Sequence, residues 1–102
     1  MLENFDISGI NKIFENRIRL GIMSILSANE DVDFSTLKSV LDVTDGNLSS
    51  HVSALESEGF LNIKKQFVGK KPKTTFTITK DGRKAFTEHI DALEKLIKIQ
   101  NK

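Results

Sequence analysis

The chain of 102 residues contains no cysteine. A disulfide framework, a zinc-finger site and a thiol redox switch are thereby excluded, because each needs paired or clustered sulfur. Histidine is almost as scarce, and His51 and His89 lie too far apart in sequence to suggest a metal constellation. Neither metal nor cofactor is expected. Long apolar runs are missing as well. No stretch approaches the ~18 apolar residues that span a bilayer, and the opening MLENFDISG lacks a basic start followed by an apolar run. A soluble, cytoplasmic chain with no membrane contact is the expectation. No Ser/His/Asp set, carboxylate pair or phosphate-binding glycine loop stands out, so an enzyme is not expected.

With 102 residues and 38% hydrophobic content, the chain supports one domain spanning 1–102. A domain of this size buries roughly two-thirds of its unfolded surface. The overall charge of +1 looks weak until it is divided. From Lys64 to Lys84 eight cations face one anion, a net of +7, which leaves seven cations and thirteen anions, or −6, elsewhere. Such asymmetry points to a localised site for a polyanion.

Ile7, Ile10, Phe14, Ile18, Ile22, Ile25 and Leu26 recur at steps of three and four, so the first part reads as one helix or two short ones ending near Ala28. Asn29 to Asp33 is read as a loop. Phe34, Leu37, Val40 and Leu41 mark a short second helix capped by Asp33 or Ser35, and Thr44 or Asp45 caps a third. In the third helix Leu48, Val52 and Leu55 form a buried stripe, and Gly59 ends it. Leu61 and Ile63 then alternate with Asn62 and Lys64, and Phe76 and Ile78 with Thr75 and Thr77, as two strands do. Gly69, the lysines and the single Pro72 are read as the hairpin tip, with Pro72 holding Lys71 extended. Thr79 caps a last helix running from about Lys80 towards Ile99. The expected class is mostly α with a small β-hairpin: a winged helix-turn-helix with N-terminal and C-terminal helices.

Asn47, Ser49, Ser50, His51 and Ser53 present short polar groups suited to base edges, and Asn47 can pair bidentately with adenine. No Lys or Arg falls between Thr44 and Gly59, so affinity must come from elsewhere. Lys70, Lys71 and Lys73 are the first candidates for phosphate or minor-groove contact, followed by Lys64, Lys65, Arg83, Arg17 and Arg19. A solvated polar helix and a solvated lysine turn are the bland alternatives, and the concentration of charge favours the functional one. Phe86, Ile90, Leu93 and Ile97 repeat at steps of four, three and four, the spacing of a coiled-coil seam. Residues 80–102 are therefore expected to pair with a second copy. The two third helices would then lie about one DNA turn (~34 Å) apart. His51 is read as a DNA contact or surface residue and His89 as a polar position beside the seam.

Three stretches carry a family resemblance. FENRIRLGIMSIL (Phe14 to Leu26), TDGNLSSHVSALESEGFL (Thr44 to Leu61) and TTFTITKDGRKAF (Thr74 to Phe86) resemble the first helix, recognition helix and second wing strand of small winged-helix transcriptional regulators. These belong to the broad group that includes the arsenic-repressor and multiple-antibiotic-resistance families. By position, the resemblance implies DNA contacts from Asp45, Gly46, Asn47, Ser49, Ser50 and His51, and wing contacts from Lys70, Lys71 and Lys73. The metal-sensing cysteines of the arsenic-repressor type are absent. The expected function is that of a homodimeric, sequence-specific regulator on double-stranded DNA, its effector unknown. The alternative is a winged-helix module that docks another protein.

Overall fold

Short polar side chains open the first three helices, each accepting from a backbone N–H that would otherwise have no partner. In the computed structural model, which describes residues 5–100, Asn16 Oδ1 accepts from Ile18 and Arg19 N–H at 2.9 and 3.0 Å and starts α1 (Arg17–Ala28). A short 3-10 turn, Lys12–Phe14, precedes it. Asp33 caps α2 (Phe34–Leu41) through Thr36 N–H at 2.7 Å, and the Thr36 side chain, with that N–H second, holds its carboxyl below the usual value. Thr44 caps α3 (Asp45–Ser57) through Asn47 N–H at 3.1 Å. Gly59, at φ +78°, closes α3 as Phe60 N–H bonds Leu55 C=O at 3.0 Å and Gly59 N–H bonds Glu56 C=O at 2.8 Å. That pair of bonds is a Schellman motif and needs the left-handed conformation glycine takes freely.

Strands β2 (Leu61–Val68) and β3 (Lys71–Ile78) form an antiparallel hairpin, followed by α4 (Lys80–Gln100). The stretch read as a loop contains a third strand, β1 (Val32–Asp33), which pairs with Phe76 and Thr75 and gives the sheet order β1-β3-β2. Two residues carry no readable period, and Val32 is buried by the pairing. The hairpin tip is also tighter than expected: Val68 pairs with Lys71, so Gly69 and Lys70 alone make the turn. Pro72 lies inside β3 opposite Phe67. Antiparallel pairs alternate between bonded and non-bonded, and the pair next to the closing one is non-bonded, so the missing proline N–H costs the ladder nothing.

The core gathers Phe14, Ile22, Leu26, Leu48, Leu55, Leu61 and Phe76, drawn from α1, α3, the hairpin and the 3-10 turn. Phe14 is its hub, stacked tilted on Phe60 at 5.5 Å and edge-on to Phe86 at 5.6 Å. Phe86, grouped with the seam by its spacing, belongs instead to the chain's own core. His89 corrects its reading too. It is buried, not beside a seam, with its ring 5.2 Å from Phe14 and its Nδ1 accepting from Asn11 N–H at 3.0 Å. Burial pushes its pKa down, opposed by the carboxylate of Glu15.

After His89 no side chain of residues 90–98 is fully buried, and Ile90 and Ile97 are exposed. The principal extents of 61 × 26 × 21 Å describe an elongated body. Residues 1–4 and 101–102, which the expected domain and its terminal helix include, lie outside the described residues.

Candidate nucleic-acid interface

Helix α3 buries Leu48, Val52 and Leu55 and leaves Gly46, Asn47, Ser49, Ser50 and Ser53 exposed. The exposed side carries no Lys, Arg, Asp or Glu between Gly46 and Leu55, so it can approach base edges but contributes no attraction for phosphate. Asp45, at its N-terminal end, is engaged by Lys38 of α2 at 2.7 Å, an exposed pair that links the two helices across their turn. Beside α3 opens a cleft walled by Ser49 and Ser53 on the helix and by Lys65 and Thr74 on the wing. Helix α3 and the β2–β3 hairpin are therefore adjoining walls of one surface.

His51 is held from behind. Arg19 of α1 places Nη1 3.0 Å from His51 Nδ1 while its Nε donates to Ile13 C=O at 2.6 Å. A guanidinium only donates, so Nδ1 accepts and the ring proton resides on Nε2. Burial, and then the charge of Arg19, push the His51 pKa down, so the ring is neutral at physiological pH. The α3 surface thus carries an N–H donor at this position. Arg19 is occupied in holding it and not disposed as a phosphate clamp, whereas Arg17 is exposed in the first turn of α1.

The wing lysines do not form one cluster. Lys70 sits in the turn, and Lys71 and Lys73 share the face of β3 opposite to Pro72 and Thr74. Lys65 lies on the other face, toward the cleft, and sequence ranked it second only because the alternation of the strand was not followed past Ile63. Phe67, two residues on, was missed; it is 74% exposed, and the signal was the same alternation continued. Arg83 is likewise used inside the fold, where Nη1 caps Ser27 C=O at the end of α1 at 3.1 Å. Among the described residues no three His, Cys, Asp or Glu side chains gather as a metal group, and no helix is long and apolar enough to cross a membrane.

Four helices and a three-stranded sheet whose basic β2–β3 hairpin stands beside a polar third helix define a winged helix-turn-helix protein. The model of the winged helix DNA-binding domain family matches residues 18–97, and the chain belongs to that family. It is a DNA-binding family, not a family of enzymes. An uncharacterized protein of Methanocaldococcus jannaschii is 39% identical over 87 residues, 85% of this chain and 95% of that protein. Among solved structures, a transcriptional regulator homologue from Pyrococcus horikoshii OT3 superposes with a TM-score of 0.81 at 33% identity, covering 88% of this chain and 89% of that one. The protein ytfH of Salmonella typhimurium superposes with a TM-score of 0.70 at 26% identity, covering 86% and 77%.

Proposed function

We propose that this protein is a transcriptional regulator that binds double-stranded DNA sequence-specifically as a homodimer. The observation that carries the reading is the adjoining of the polar α3 face to a wing segment of net charge +7 in an otherwise acidic chain. Helix α3 enters the major groove, where Asn47, Ser49, Ser50 and the His51 donor meet base edges. Lysines 65, 70, 71 and 73, with Arg17, supply the phosphate attraction that α3 lacks. The kinship with regulators of this fold supports the same assignment.

The second half of α4 supports the dimer. Ile90, Leu93 and Ile97 present an apolar stripe with no full cover among the described residues, and Phe5 and Ile7 add exposed apolar surface at the other end of the sequence. Residues 6–9 lie against α4 near Asp91, Ala92 and Lys95, so both terminal segments meet at one end of the molecule. A two-fold axis through that end would present two α3 helices to successive turns of one duplex.

Selection of bound sequences from a random duplex pool, followed by salt titration of the winners, tests the reading. A recurrent palindromic sequence, with affinity falling steeply as salt rises, is expected. Retention that ignores both sequence and salt would replace it with a protein-docking role.

A further inference from the structure

Phe67 is the most exposed of the large hydrophobic side chains among the described residues, at 74%. It shares a face of β2 with Leu61, Ile63 and Lys65, and stands opposite Pro72 in the register. Along that face the environment changes stepwise. Leu61 is in the core, Ile63 packs against it, Lys65 faces the cleft beside Ser49 and Ser53 of α3, and Phe67 with Pro72 comes next towards the tip. Each step of two residues advances about 6.6 Å along the strand. A duplex seated on α3 would lay one phosphate strand along the cleft at Lys65 and bring the following groove to Phe67 and Pro72.

We infer that Phe67, backed by Pro72, is an apolar wedge that enters the minor groove beside the major-groove site and partly unstacks a base step there. The inference rests on the DNA-binding reading and adds to it a contact of a different chemistry. Charge selects the occupant. An aromatic ring that follows Lys65 on one face of a hairpin whose turn carries Lys70 and whose other face carries Lys71 and Lys73 suits a polyanion whose bases offer apolar faces, and would be poorly matched to an apolar protein groove. The strand is already ordered by its ladder to β3 and stiffened by the proline opposite, so docking the ring costs little further ordering. Phenylalanine and proline are both among the side chains that act as such wedges.

The test uses wild-type protein, Phe67→Ala and Phe67→Leu on a duplex chosen by wild-type selection. A fluorescent adenine analogue is placed at successive positions flanking the site. Wild type should raise the fluorescence at one step, the mark of local unstacking. Phe67→Ala should abolish that rise and weaken binding on the order of tenfold to a hundredfold, with an unchanged log–log salt slope because no phosphate contact is lost. Phe67→Leu should retain part of both. Parental affinity in Phe67→Ala, a rise that persists in it, or a weakened complex with a reduced salt slope would each overturn the wedge while leaving DNA binding intact. A wild-type protein with no salt-dependent affinity for any selected duplex would instead remove the DNA reading, and the wedge with it.

Discussion

Two substitutions on α4, seven residues apart, should have opposite consequences. Phe86 is 9% exposed and edge-on to the Phe14 hub, so Phe86→Ala opens a cavity in the protomer's core. Large-to-small changes at buried phenylalanine cost about 3–5 kcal/mol. For a domain of this length each kcal/mol lowers the midpoint by roughly 4–8 °C, so a fall of about 15 °C or more is expected. Leu93 is only half-buried within the chain, and Leu93→Glu should change protomer stability by no more than about 1 kcal/mol. In the proposed dimer, however, the same glutamate enters an apolar seam without a partner, which is costly enough to separate the subunits. Thermal unfolding followed by circular dichroism, run beside sedimentation velocity, separates the two effects. Phe86→Ala should melt early yet still dimerise below its midpoint, and Leu93→Glu should sediment as a folded monomer and bind a palindromic duplex far more weakly. A wild-type protein that sediments as a monomer at tens of micromolar, about where a weak interface still populates dimers, would refute the seam. So would a Leu93→Glu variant that unfolds as Phe86→Ala does.

Replacing Lys70, Lys71 and Lys73 together by Ala should weaken binding to all duplexes alike and reduce the salt slope by up to about 2.7, at ~0.9 per phosphate contact; an unchanged slope would place the wing off the backbone. Asn47→Ala and Ser50→Ala should each reduce discrimination among duplexes by about 1–3 kcal/mol per good base contact while sparing nonspecific affinity, as competition binding would read. The buried His89 has its folded pKa depressed, so the unfolded chain takes up more protons as pH falls below the ordinary value of 6.5. Its contribution to stability is complete above that value and declines as pH drops towards the folded pKa, and denaturant titrations should show this decline flattened in His89→Gln. Gly82, in the first turn of α4, lies so close to Phe60 that an added Cβ would collide with the Phe60 carbonyl oxygen. Gly82→Ala should therefore destabilise by about 1–3 kcal/mol in a urea titration, and parental stability would show that the backbone yields there.

Much of this architecture was legible because α2, α3 and α4 each announce themselves twice, in their apolar period and in their cap; α1 was read by period alone, and its cap Asn16 went unread. Thr79 could be picked from the sequence as a cap, and Asp33 and Thr44 as one of two neighbouring candidates each, since all three stand just before an apolar period begins. What escaped were features set by partners distant in sequence. The strand Val32–Asp33 exists because Phe76 and Thr75 lie alongside it, and its two residues have no pattern of their own. Pro72 reads locally as a loop residue, and only the register reveals that its position asks for no hydrogen bond. Phe86 and Ile90 share one stripe, and nothing in spacing tells which of them meets the body. The link from Arg19 to His51 joins residues 32 positions apart, beyond the reach of any helical or strand period.

The two ends of the hairpin are tied to each other and to α4 around Thr79. Thr79 donates its N–H to Phe60 C=O at 3.1 Å and its hydroxyl to Gly59 C=O at 2.6 Å, while its Oγ1 also receives Gly82 N–H at 2.9 Å to start α4. Three elements are fastened there without the help of any side chain between Asn62 and Thr77. A hairpin closed in this way is a cassette. Beyond Ile63, Thr75 and Phe76, which pack on the core or pair with β1, its residues can be exchanged, and its turn lengthened, without reopening the question of how the domain folds. A lineage carrying such a joint can vary the charge and shape of the hairpin alone, leaving α3 and the packing of α4 on the body unchanged.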